Sequence, residues 1–244
     1  MTIANHDILA KLQSDILRLQ GFRQERSNPY LDAGLGPIIQ SFPNATFPTG
    51  CVHEFLTEAK ERSAVSHAFI AGLSATLMKN QGVAVWISAS RVVFPPALVN
   101  FGIQPDRFIF IDLKNERDVL WAMDEALKCA ALSVVVGELS DLSFTASRRL
   151  QLAVEQSQVT GFIVRSDLKK LQSSAAVSRW RITSLPSEPI QDLPGIGFPK
   201  WRVELLRVRN GKPGEWDVCW RDYGFQIHNL RETSDRITEH RLQG

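Results

Sequence analysis

Apolar residues recur along this chain in short blocks whose period switches between two values. Residues 51–56 (Cys-Val-His-Glu-Phe-Leu) are mostly apolar and predict a strand, entered through the turn Phe47-Pro-Thr-Gly50. A charged loop, residues 57–62, leads into Ala64, Val65, Ala68, Phe69 and Leu73, the spacing of one helix face over about 62–79. Val83-Ala-Val-Trp-Ile-Ser88 is almost wholly apolar, as a strand covered on both faces must be. A short helix near 95–101 stops at Gly102, and residues 108–111 give the next strand. Val119, Leu120, Met123, Ala126, Leu127 and Ala130 line one face of a helix over 116–130. A strand at 132–136, a helix at 145–158 with Ala146, Leu150, Ala153 and Val154 inward, and a strand at 162–164 complete the series. Strands alternating with helices of this length imply right-handed βαβ units and a parallel sheet flanked by helices.

Past residue 178 the pattern becomes strict alternation. Ser178-Arg-Trp-Arg-Ile-Thr-Ser-Leu185, residues 201–209 and residues 216–220 read as antiparallel strands added at one edge of the sheet. Arg209-Asn-Gly-Lys-Pro-Gly214 is a turn, and the Pro- and Gly-rich stretch 184–199 is a loop. Residues 221–244 are polar and aperiodic and are expected to form a flexible tail. At the other end, Ile8, Leu9, Leu12, Ile16 and Leu19 make an amphipathic helix over residues 1–20, stopped by Gly21. Residues 21–46 read as a linker to the domain proper, residues 47–220. The stripe Ile8, Leu12, Ile16 has two readings, packing on its own domain or docking on a partner.

The totals narrow the class without choosing a function. The chain has 244 residues, 44% hydrophobic and 22% charged, as one large globular domain does. A net charge of +2 gives no global nucleic-acid signal. Cys51, Cys129 and Cys219 share no metal spacing and suit core or near-core thiols in a reducing cytoplasm. No apolar run approaches the ~20 residues that span a bilayer. The five histidines show no metal-ligand spacing, and no Ser or Cys sits in a nucleophile elbow. Trp86 and Trp121 are expected in the core; Trp180 and Trp201 either stack on a base or pack an edge.

Several blocks carry a family resemblance: Phe47-Pro-Thr-Gly50 with Val52-His-Glu54, Leu120-Trp-Ala-Met-Asp-Glu-Ala-Leu127, Val136-Gly-Glu138, Thr145-Ala-Ser-Arg-Arg-Leu-Gln-Leu152, Val159-Thr-Gly161, Arg179-Trp-Arg181 and Lys200-Trp-Arg-Val-Glu-Leu-Leu206. Together they resemble the RecA-like core, and more closely the ImuA family of bacterial damage-inducible mutagenesis cassettes, over roughly residues 47–220. The resemblance implies a cytoplasmic accessory role in translesion synthesis beside an ImuB-like Y-family polymerase relative and an error-prone C-family polymerase. RecA or a second copy of the chain are further partners it suggests, and no membrane is involved. A cell-division inhibitor of the SulA kind and a modulator of RecA filaments are the rival readings.

Laid on the RecA pattern, the phosphate-binding lysine falls at Ser63 and the following hydroxyl at Ala64, while the loop glycines fall at Thr57 and Arg62. Without glycines the loop loses the positive-φ conformations that wrap phosphate. The catalytic carboxylate becomes Ser90, and the magnesium-supporting Asp becomes Gly137, with Glu138 one residue late. Phosphate cradle, general base and metal support are all vacated, so no ATP hydrolysis, cofactor or metal is expected. Lys60 stands nearby, ahead of the helix. A basic stretch follows, with Arg148, Arg149, Lys169, Lys170, Arg179 and Arg181 as candidate contacts to single-stranded DNA. The competing reading of that stretch is a solvated edge with Arg148 and Arg149 held in ion pairs.

Overall fold

A computed structural model describes residues 35–58, 63–78, 82–90, 92–166, 172–188 and 197–228. One nine-stranded sheet organises them, in the order β3-β2-β4-β5-β1-β6-β7-β8-β9. Its strands are β1 Val52–Leu56, β2 Val83–Ser88, β3 Phe108–Asp112, β4 Leu132–Leu139 and β5 Thr160–Arg165, followed by β6 Ser178–Glu188, β7 Phe198–Val208, β8 Gly214–Arg221 and β9 Gly224–His228. The first six in spatial order, β3 to β6, pair in parallel, and β6 to β9 pair antiparallel. The α/β architecture read from the sequence is therefore correct, including the antiparallel edge after residue 178.

Among the described residues, three helices cover the parallel part: α1 Ser63–Leu77, α2 Glu116–Leu127 and α3 Phe144–Ser157. The expected helix near 95–101 is a 3-10 segment, Pro95–Phe101. Asn115 caps α2 by accepting from the Asp118 amide at 3.0 Å, and Ser143 caps α3 by accepting from the Ala146 amide at 3.2 Å. Helices α2 and α3 lie on one face of the sheet, over Val52, Val85, Val135 and Ile163. Helix α1 lies on the other and is buried on nearly every side, from Ser63 and Ser66 through Phe69, Ile70, Leu73 and Ser74. Such burial extends beyond one apolar stripe and takes in the small polar side chains Ser63, Ser66 and Ser74.

The antiparallel strands explain it. Trp220 of β8 donates from Nε1 to the Asn100 carbonyl at 3.0 Å, and its ring meets Phe101 at 5.3 Å. The far edge of the sheet thus touches the segment that follows β2, with α1 enclosed between them. Gly72 permits the closure: a Cβ there would stand 2.6 Å from the Phe225 ring and 2.9 Å from Trp220.

Several expectations need correcting. Residues 35–46 do not act as a linker: Leu35, Ile38 and Phe42 are buried in the α1-side core beside Phe47 and Trp180. A helical turn, Gly36–Ile39, and a 3-10 turn, Pro43–Ala45, break the periodicity that would have revealed them. The expected tail begins too early, because Asp222 and Tyr223 take positive φ and turn the chain back into β9. Trp121 is 62% exposed rather than core, and Cys129 is exposed while Cys51 and Cys219 are buried. Trp180 and Trp201 neither face solvent nor pack an edge: they are buried on interior strands in the α1-side core with Phe55 and Phe69. The stripe Ile8, Leu12, Ile16 and residues 229–244 lie outside the described residues.

Candidate functional site

The end of β1 and the start of α1 meet where a RecA-like nucleotide site would lie. Thr57 leaves the strand by donating its amide to the Arg165 carbonyl at 2.8 Å, and Ser63 opens the helix, 4% exposed. Arg62 and Lys60 lie outside the described residues. Among the described ones, Thr57, Ser63, Ser90, Glu116, Glu138 and Ser166 line a cavity of about 30 Å³. That volume suits a water or two. Two of the lining side chains are carboxylates, and both are engaged. Glu116 accepts from Ser140 Oγ at 2.5 Å, and Glu138 accepts from Trp86 Nε1 at 2.7 Å. Ala64 is exposed beside Ser63, and Ser90 lies on a bend beyond β2. At Gly137 a Cβ would stand 2.5 Å from the Met123 sulfur, so any side chain there must displace that thioether.

His67, one turn along α1, points its Nε2 at Glu138 Oε1 across 3.4 Å without making a hydrogen bond. Burial pushes its pKa down to about 4, so the imidazole is neutral at pH 7 and the contact is not an ion pair.

The structure divides the basic candidates. Arg149 donates to Asp124 at 2.7 Å, joining α3 to α2. Burial opposes ionisation of Asp124, but the hydrogen bonds from Arg149 and Lys128 outweigh it and hold the carboxyl below its ordinary range. Arg181 grips Glu204 of β7 with two bonds of 2.7 and 2.6 Å. Arg179 donates to Glu54 at 2.6 Å and to the Gln172 carbonyl at 2.9 Å. These three are bonded to partners within the protein, while Arg149 keeps 63% of its side chain exposed and Arg181 39%. Arg148 is exposed on α3, and Lys169 and Lys170 lie outside the described residues.

Pattern reading missed the most buried charges. Glu54 and Arg165, both 0% exposed, pair at 2.6 Å across β1 and β5. Glu54 also accepts from Ser174 Oγ at 2.9 Å, and Arg165 reaches Asp141 at 2.8 Å. Two further arginines clamp the chain that enters β6. Arg207 donates to the carbonyls of Ser174 and Ala176, and Arg209 donates to that of Ala175, each near 2.9 Å. The cluster therefore fixes the stem of the segment that carries Lys169 and Lys170. The one sequence signal was charge inside apolar strands: Glu54 in Val-His-Glu-Phe-Leu and Arg165 ending Thr-Gly-Phe-Ile-Val-Arg.

On the other face of β1 a polar chain is buried among aromatic rings. His53 contacts the Pro48 carbonyl through Nε2 at 2.9 Å and Ser178 Oγ through Nδ1 at 2.6 Å, and Trp180 Nε1 donates to the same Ser178 oxygen. Phe47 stacks on the His53 ring at 4.7 Å. Burial lowers the His53 pKa to about 4. These bonds pin the turn ahead of β1 and leave nothing open to a substrate.

This strand order and helix placement define a RecA-like α/β protein. The crystal structure of the RadB recombinase shares the fold at a TM-score of 0.52 and 12% identity, covering 74% of this chain and 91% of that one. No family model matches the chain. Protein ImuA of Caulobacter vibrioides, in strains NA1000 and CB 15, is 32% identical over 224 residues, covering 87% of this chain and 91% of the relative. The chain belongs to the ImuA family. The cell division inhibitor SulA of Photorhabdus laumondii matches at 32% over 95 residues, 39% of this chain and 54% of that protein. Family and fold together support a role connected with DNA damage.

Proposed function

We propose that the protein is a non-catalytic RecA-like adaptor in damage-induced translesion synthesis. It assembles with an ImuB-like protein and an error-prone C-family polymerase in the cytoplasm. The observation that carries the reading is the site at the start of α1. A buried serine stands at the lysine position, and two engaged carboxylates line a cavity of about 30 Å³. Carboxylates there repel phosphate, and a missing lysine leaves its charge unneutralised. The N-terminal stripe Ile8, Leu12, Ile16 is the proposed handle for the ImuB-like partner.

Two measurements test this. Purified protein is expected to show no DNA-stimulated ATP hydrolysis; turnover that disappears in Lys60→Ala overturns the non-catalytic reading. Leu12→Asp with Ile16→Asp is expected to abolish capture of the ImuB-like protein while the thermal melt stays unchanged. A melt lowered by several degrees with capture intact would assign the stripe to the protein's own core. The partial match to SulA favours a second reading, inhibition of cell division. Binding to the division protein FtsZ with no capture of an ImuB-like protein would select it.

A further inference from the structure

Strand β6 outruns the neighbour that covers it. β1 ends at Leu56, which registers with Arg181, while β6 continues to Glu188. On its other side β6 stays paired with β7, Ile182 with Val203 and Leu185 with Lys200. Among the described residues, nothing pairs with β6 on the β1 side beyond Arg181. Val177, just ahead of β6, donates its amide to the Val52 carbonyl at 2.8 Å. Backbone groups alternate in direction along a strand, so Thr183 and Leu185 turn theirs the same way, into the lane that β1 has left. A cavity of about 450 Å³ lies there, in the range of ligand-binding sites. It is walled by the end of β1 at Leu56 and Thr57, by α1 at Val65 and by Ile182 to Ser184.

We infer that this lane receives an extended peptide segment of another protein, laid beside β6 as an added strand. The ligand class follows from what the lane offers, which is main chain. The amides and carbonyls of Thr183 and Leu185 repeat at strand spacing, and a second extended backbone matches that repeat. Leu56, Val65 and Ile182 give the lane an apolar wall that takes an aliphatic side chain of the segment. Arg181 also lines the cavity but has no charge to spare. Two bonds tie it to Glu204, and these, with the charges of Glu204, Glu58 and Glu215, hold its pKa above the ordinary arginine value. An acidic residue beside Arg181 would face those carboxylates, so the segment is neutral or basic at that point. The inference is independent of the adaptor reading, which names partners but no surface of the folded domain.

Peptides selected from a random phage-displayed library on the immobilised full chain, then synthesised free, test the inference. The selected peptides are expected to carry an aliphatic residue, to avoid Asp and Glu beside it, and to slow hydrogen exchange at the Thr183 and Leu185 amides when bound. N-methylation of single peptide amides removes one main-chain donor and keeps every side chain. It is expected to weaken binding about tenfold or more at alternate positions, the effect of one lost hydrogen bond in a desolvated site, and far less at the positions between. Ser184→Trp, at an exposed position that does not threaten folding, fills the lane and is expected to weaken binding as much; Val65→Trp fills it from the α1 side. Thr183 and Leu185 amides already protected in the free chain would mean that one of its own segments occupies the lane, and would overturn the inference. So would a library without a binder that protects them, or binding indifferent to N-methylation and to Ser184→Trp. Capture of the ImuB-like protein is measured separately, so failure here and failure of the adaptor reading are told apart.

Discussion

Glu54 and Phe55 are neighbours in β1 and face opposite worlds. On the Phe55 side, Trp180 stacks at 6.0 Å with its ring 9° from parallel, and Phe69 and Phe162 close the cluster. On the Glu54 side, the same strand pair presents a carboxylate held by Arg165, Arg179 and Ser174. Alternation along the strands separates the two: Phe55 registers with Trp180, and Glu54 with Arg179. The aromatic face gains stability from area and packing, and any well-shaped apolar group contributes there. The charged face gains little net stability from its ions, because removing them from water offsets their attraction. Its consequence is fidelity of pairing. A register slip of one residue would carry Glu54 into the aromatic cluster and Phe55 into the arginines.

The sharpest way to break this contrast is to empty one side and then the other. Trp180→Ala is expected to cost roughly 3–5 kcal/mol by urea denaturation, the loss of a large buried ring. Glu54→Gln keeps the shape and leaves Arg165 buried with a weakened partner, at an expected cost of about 3 kcal/mol. In a double-mutant cycle with Arg165→Gln, the two changes should cost less together than separately, with about 1–3 kcal/mol of coupling. Additive losses would mean that the pair acts through packing alone.

Acid sharpens the comparison from the aromatic side. His53 has its pKa lowered from 6.5 to about 4 by burial, and His67 likewise. For a base whose folded pKa is depressed, the unfolded chain binds the extra proton between the two values. Stability is therefore full above pH 6.5 and falls as pH drops towards 4, by a few kcal/mol in all. Chemical denaturation across that window measures the slope; a flat profile would mean that the rings are open to water. The smallest effect belongs to the ladder on β6–β8, where Arg181 meets Glu204 and Arg202 meets Asp217 at 3.1 Å. Arg181 and Arg202 are more than a third exposed, so Arg181→Ala should cost well under ~1 kcal/mol in the same assay.

The legibility of these features in the sequence follows the range of the forces that make them. The elements of the parallel half follow from local periods, because each strand and helix buries a face its own residues define. β2 falls at Val83–Ser88 as expected, and α1 at Ser63–Leu77 against an expected 62–79. Residues 35–46 defeat such reading, since Leu35, Ile38 and Phe42 are buried by tertiary contact without forming a long periodic element. Trp121 misleads for the opposite reason: it sits in a well-patterned helix but on its outer side. At the site, Ser63, Ser90 and Gly137 could be singled out from the sequence only by laying it on a known motif. The Glu54–Arg165 and Glu54–Arg179 pairs were not: a charge inside an apolar strand marks each of Glu54 and Arg165, but the partners lie 111 and 125 positions apart and nothing local joins them. Arg149's partner Asp124, on a different helix, likewise could not be read from local sequence.

The enclosure of α1 has a consequence for the order in which the chain can be made. Phe225 closes over Gly72, yet the ribosome delivers it more than a hundred residues later. Until β8 and β9 emerge, α1, which the finished fold buries on most of its sides, waits without its lid. Contacts this distant in sequence slow folding and lengthen the exposure of sticky intermediates. The nascent protein is most vulnerable to aggregation just before synthesis of its last strands, and a stop codon ahead of Trp220 should yield an insoluble product even though every RecA-like element precedes it.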